Sequence, residues 1–169
     1  MRASRLGRYS WTMFDWANQP FYTLIMTFVF SVYFTDVFIV GEDGAQKLTL
    51  TQTISGLAIA ILSPVLGSIT DIKGNRKLLM FTTSVFFVLG MALLWYSPPG
   101  APDGIWLVMF GLILASAMVG FSEVFNNSVL STIETPENSG WLSGMGYGVG
   151  YIAGLIALIL FLIVFVWPG

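Results

Sequence analysis

Cysteine and histidine are both absent from this 169-residue sequence. Without cysteine there is no disulfide, no thiolate zinc site and no thiol nucleophile, and the redox compartment leaves no trace in the chain. Without histidine the commonest metal ligand and the usual general base at neutral pH are missing too. No metal site and no cofactor is therefore expected. Charge is scarce: Asp, Glu, Lys and Arg make up 9% of the residues, against ~25% in soluble domains. A water-soluble globule of this size cannot cover its surface with so little charge. Seven Lys or Arg residues and a net charge of −2 leave no footprint for nucleic acid.

What fills the space is apolar. The hydrophobic share is 56% before glycine is counted, where soluble domains reach about 45–50% with glycine included. A bilayer's hydrocarbon core needs about 20 mostly apolar residues per crossing helix. Five segments satisfy that length, at about 11–40, 48–69, 78–96, 105–125 and 141–167. Runs such as LIALILFLIVFVW lack the alternation of a transmembrane β-strand. The expected fold is an all-α integral membrane protein of about five transmembrane helices, with 1–169 as a single membrane domain in contact with the lipid bilayer.

Orientation follows from the basic residues in short loops. Arg2, Arg5 and Arg8 precede the first span, and Lys73, Arg76 and Lys77 lie between the second and third. Lys47 alone falls on the other side, among Asp36, Glu42, Asp43 and Asp103. The N-terminus is expected in the cytoplasm, the chain crossing the cytoplasmic membrane, or a vacuolar or other endomembrane in a eukaryote. The fourth-to-fifth loop, with Glu134 and Glu137, carries no Lys or Arg. The three early arginines, with no short apolar core and small-residue cleavage site after them, do not read as a removable signal peptide.

Several features bear on chemistry. The turn after the second span reads GSITDIKGNRK, with Gly67, Asp71, Gly74, Arg76 and Lys77. It is either a charged turn that fixes topology or a conformational latch, in which Asp71 pairs with a cation or helix-end N–H groups in one state only. Asp15, Asn18 and Gln19 open the first span, while Glu123, Asn126 and Asn127 close the fourth, and both clusters read acid-x-x-amide-amide. Ionisable groups inside spans are costly and face protein or water. Two uses follow: water-exposed helix ends, or a polar cavity that takes a small solute or a proton.

Glycine recurs every four residues twice in the last span, as Gly140, Gly144 and Gly148 and as Gly146, Gly150 and Gly154. Such stripes let another helix pack closely. The loose match of Gly148, Gly150 and Ala153 to a dinucleotide fingerprint has no strand before it and carries nothing. Thr135-Pro136-Glu137 looks like a helix N-cap, a first-position proline and a first-turn acid. Pro20 and Pro64 each remove a backbone donor within a span, making a hinge or a static bend. Trp11, Trp141 and Trp167 suit headgroup depth. No G-x-x-x-x-G-K-[ST] motif for ATP is present.

The pattern of Gly67, Asp71, Gly74, Arg76 and Lys77 resembles the loop between the second and third helices of the major facilitator superfamily, with Ile72 standing where a basic residue is usual. YSWTMFDWANQPFYTLIMTFVFSVYF resembles the opening helix of that superfamily's vacuole-effluxer-like branch, related to autophagy-associated vacuolar permeases. FNNSVLSTIETPENSGWLSGMGYGVGYIAG resembles the branch's fourth-to-fifth-helix passage. Asp15, Trp16, Ala17, Asn18, Ser143, Gly144, Gly146, Gly150 and Tyr151 carry the likeness.

The resemblance implies the N-terminal half of a twelve-helix fold built of inverted three-helix repeats, in which the first and fourth helices are counterparts. The kinship of the two acid-amide clusters fits that symmetry. It further implies secondary transport of a small polar solute, such as an amino acid in efflux, coupled to a proton or another ion by alternating access. The chain is then a truncated or split carrier that lacks a sixth helix and a C-terminal half. The rival reading is a non-transporting fragment or assembly subunit whose glycines dock a partner. A membrane enzyme is disfavoured, because the two intramembrane acids do not form a paired ligand motif.

Overall fold

The computed structural model describes residues 4–73, 76–99 and 102–168, without the side chains of residues 69–73 and Pro102. The described residues form helices and turns, with no strand among them. Five helices among them are long and apolar enough to cross a membrane. They are α1 (Arg5–Phe38), α2 (Glu42–Lys73), α3 (Arg76–Leu93), α4 (Ile105–Ile133) and α5 (Pro136–Phe161). This is a multi-pass, all-helical membrane architecture, consistent with part of a major facilitator fold.

The helices outrun the apolar segments of the sequence. α2 begins at Glu42 and ends at Lys73, and α4 continues to Ile133. Hydropathy marks depth in hydrocarbon, whereas a helix ends where its hydrogen-bond ladder is capped or broken. The cluster from Glu123 to Ser128, expected at the close of the fourth helix, therefore lies inside α4. Asp71 likewise belongs to the last turn of α2 rather than to a loop.

Local chemistry sets several boundaries. Ser4 Oγ accepts the Gly7 N–H at 3.1 Å and starts α1. Pro20 has no N–H to give, and α1 widens after it into π-type turns over Phe21–Phe28, where the Val29 N–H reaches Leu24 O at 2.9 Å. A second wide turn covers Phe34–Phe38. α2, by contrast, runs through Pro64 without a change of helix type. Gly41, at φ +93°, makes the turn into α2 in a conformation that side-chain-bearing residues rarely adopt. Glu42 and Asp43 then place negative charge on the amino end of α2.

The chain divides into two compact units, residues 1–31 with 129–169, and residues 32–128. In the second unit, Ala117, Phe121 and Phe125 of α4 form a buried cluster against Ile59 and Leu66 of α2 and Leu79 and Met80 of α3. α3 and α4 approach through paired glycines: a Cβ on Gly90 would lie 2.8 Å from Gly111 O, so neither position admits a side chain without a shift. Tyr33 Oη donates to the Ser97 carbonyl at 2.5 Å, tying the end of α1 to the turn after α3.

In the first unit, α1 up to Ser31 packs along α5. Leu155, Ile159 and Ile163 on one side of the α5 rod are exposed. In water these residues would form a large apolar patch; in a bilayer they contact lipid.

Candidate functional site

The first unit brings the α1 cluster onto glycine. Asp15 and Gln19 are four residues apart on α1 and so share a face. That face lies on Gly146, Gly150 and Gly154 of α5. A Cβ on Gly146 would sit 2.5 Å from Asp15 Oδ2 and 3.3 Å from the Trp11 ring. A Cβ on Gly150 would sit 3.3 Å from both Asp15 Cβ and Asp15 O, and one on Gly154 would meet Thr23 Oγ1 and, at 3.1 Å, Gln19 Cγ. The missing side chains are thus the space that the carboxylate and the amide stem occupy.

Polar capacity on this stretch of α1 is left unused. Among the described residues Asp15 makes no hydrogen bond or ion pair. Asn18 Nδ2 is buried with no hydrogen-bond partner among the described residues. An unmet buried amide donor costs roughly 1–3 kcal/mol, so such groups are kept where a ligand, an ion or water meets them. A carboxylate acceptor beside an amide donor suits a polar, amine-bearing solute or a proton. Among the described residues no three His, Cys, Asp or Glu side chains gather as metal ligands.

The stripe formed by Gly140, Gly144 and Gly148 has a different setting. A Cβ at any of the three would meet nothing within 4 Å. One of the two stripes is a helix contact inside the chain and the other is open.

The ends of α1 and α5 are tied by a pair that sequence reasoning missed. Arg8 Nη1 donates to Glu134 Oε2 at 2.9 Å, with 2% of the Glu134 side chain exposed. Glu134 Oε1 also accepts the Thr135 N–H at 3.1 Å. The acid in a loop without Lys or Arg thus takes its counter-charge from the N-terminal segment. Two acids in a loop without Lys or Arg, on the same expected side as three arginines, are the available signal. Thr135 is the N-cap of α5, but its Oγ1 accepts from Asn138 Nδ2 at 3.3 Å instead of closing on a backbone N–H.

In the second unit, Glu123 is half-buried, Asn126 buried and Asn127 exposed. Arg76, at the head of α3, donates to the Ser128 carbonyl at 3.4 Å. Arg76 of the turn after α2 and the polar cluster of α4, separate features in the sequence, therefore meet at Ser128. Gly67 lies within α2, and a Cβ there would meet nothing within 4 Å; Lys77 is exposed. The Asp71 side chain and Gly74 lie outside the described residues. Asp15, Asn18 and Gln19 belong to the first unit, and Glu123, Asn126 and Asn127 to the second.

Comparison with known proteins adds one relative. Over 144 residues the chain is 29% identical to an "Uncharacterized MFS-type transporter YxiO" of Bacillus subtilis (strain 168), a match covering 82% of this chain. The chain spans about a third of that protein's length, 32%. No family model matches the chain, and no solved structure matches it significantly. The relative supports a major facilitator type of membrane protein.

Proposed function

We propose that the five helices are the opening part of a secondary carrier of the major facilitator type that moves a small polar solute by alternating access. The similarity to an MFS-type transporter over most of the chain carries this reading. Because the chain spans a third of that relative, further helices complete the solute path. The run Asp15-Trp16-Ala17-Asn18 supports the vacuole-effluxer-like branch, and with it an amino acid as solute in the direction of efflux. Arg5 and Arg8 at the start of α1 and the basic residues around Arg76 support a cytoplasmic N-terminus in the cytoplasmic membrane.

Within this carrier Asp15 is the acid that takes the solute's amine or the coupling proton, with Asn18 as the neighbouring donor. Glu123, Asn126 and Asn127 are its counterparts from α4. The turn bearing Gly67, Asp71, Gly74, Arg76 and Lys77 latches one conformation, and Arg76 bonded at Ser128 is the contact to be released. The test is gradient-driven uptake of a labelled amino-acid mixture into proteoliposomes holding the carrier with all its helices. Asp15→Asn is expected to lower uptake at least tenfold and Asn18→Ala to raise KM. Undiminished uptake by Asp15→Asn and Glu123→Gln together contradicts the assignment.

The open glycine stripe favours a second reading, a membrane subunit that docks a partner helix along Gly140, Gly144 and Gly148. Under that reading Gly144→Leu abolishes co-purification of the partner and leaves no transport to lose.

A further inference from the structure

The first two turns of α1 and the second and third turns of α5 form a half-open cavity of about 140 Å³, lined by Arg5, Arg8, Tyr9, Trp141, Leu142 and Met145. Each helix contributes one face, since the lining positions are spaced by one, three or four residues. The lining divides by chemistry. Two guanidinium groups contribute charge, and aromatic and aliphatic groups make the rest. The volume is more than four times the ~30 Å³ that a water molecule occupies in the liquid, room for a compact tetrahedral oxyanion.

The charge is unbalanced in favour of an anion. Glu134 holds one nitrogen of Arg8 at 2.9 Å, and a guanidinium has five N–H donors. Arg5 makes no ion pair among the described residues. The charged groups that line the cavity are thus both cations, and the Arg8–Glu134 pair holds the Arg8 fork in place. Arginine is suited to phosphate because its planar fork matches two oxygens at once.

The apolar half of the lining says what is attached to that anion. Tyr9 and Trp141 are 58% and 67% exposed, rings with a polar edge of the kind that settles at the membrane–water interface. Leu142 is fully buried and forms a floor, with Met145 one turn deeper into α5. Free phosphate gains nothing from Leu142 or Met145, whereas a glycerol backbone with its first acyl methylenes does. We propose that this cavity binds the phosphate of an anionic phospholipid in the leaflet on the N-terminal side, clamped by Arg5 and Arg8 with the glycerol flanked by Tyr9 and Trp141. The lipid then bridges the starts of α1 and α5 beside the Arg8–Glu134 pair. The inference is independent of any transported solute.

Native mass spectrometry of the full chain in neutral detergent tests it, with phosphatidylglycerol and phosphatidylcholine titrated in competition. One phosphatidylglycerol is expected to be held about fivefold more tightly than phosphatidylcholine, the scale of one basic residue at an anionic surface. Arg5→Gln is expected to bring that ratio close to one, and Trp141→Ala to weaken retention of both lipids alike, while circular dichroism shows helix content unchanged. Equal retention of the two lipids by the native chain overturns the proposal, as does an unchanged preference in Arg5→Gln. Inorganic phosphate supplied at the lipid's concentration should leave the bound phosphatidylglycerol in place. Full displacement by it reassigns the cavity to free phosphate and overturns the lipid assignment.

Discussion

On α5, Gly146, Gly150 and Gly154 lie under Asp15, Gln19 and Thr23 of α1, whereas a Cβ at Gly140, Gly144 or Gly148 would meet nothing within 4 Å. The two stripes have the same residue, the same spacing and the same helix. Their difference teaches that small-residue periodicity identifies faces able to accept a helix but not which face receives one. What distinguishes them is the chemistry arriving from the other side. α1 brings a carboxylate, an amide stem and a threonine hydroxyl in register with the covered stripe, and the Arg8–Glu134 pair anchors that register at the helix starts.

The comparison is broken most severely by removing the anchor. Arg8→Ala takes a charged partner from the buried Glu134 carboxylate, a loss of about 2–3 kcal/mol. It should appear as a lower unfolding midpoint in detergent, and adding Glu134→Gln should recover part of the loss. Full stability in Arg8→Ala would show that the helix faces hold register unaided.

The next largest effect belongs to the covered stripe. At Gly150 the nearest atoms are backbone and Cβ of Asp15, at 3.3 Å, and neither can swing away. Gly150→Leu should therefore cost roughly 1–3 kcal/mol by forcing α1 off α5, read in the same unfolding assay.

Gly146→Ala sharpens the contrast between packing and function. The atom it meets is the far end of the Asp15 side chain at 2.5 Å, which can move. Stability should fall by less than about 1 kcal/mol, while the carboxylate is displaced. In the carrier with all its helices, uptake should then drop toward that of Asp15→Asn. The smallest effect is expected at the open stripe: Gly144→Leu should change stability of the isolated chain by no more than about 0.5 kcal/mol. A large loss there would mean that the two stripes are equivalent after all.

Much of this architecture is legible in the sequence. Five apolar segments with charge confined to their ends imply helices across a bilayer, because no other backbone arrangement of such segments satisfies its hydrogen bonds in lipid. Asp15 and Glu123 stood out because ionisable groups are rare in spans. Other features were beyond local pattern. Arg8 and Glu134 are 126 positions apart, and acids across from several arginines do not single out which of them meet. The π-type turns after Pro20 depend on how carbonyls freed by the missing N–H find new partners. The extension of α4 past Asn127 to Ile133 escaped hydropathy because a helix leaving the membrane keeps its ladder while its side chains turn polar.

The seating of Asp15 on the covered glycine stripe is tested most directly by paired cysteines, since the sequence has none to confuse the result. A Cβ at Gly150 lies 3.3 Å from Asp15 Cβ, near the ~3.5–4.5 Å separation of disulfide-bonded Cβ atoms. In native membranes under mild oxidant, Asp15→Cys with Gly150→Cys should cross-link nearly completely, and Asp15→Cys with Gly148→Cys should scarcely react. Equal or stronger cross-linking to position 148 would place α1 on the other stripe and contradict the site built on Asp15.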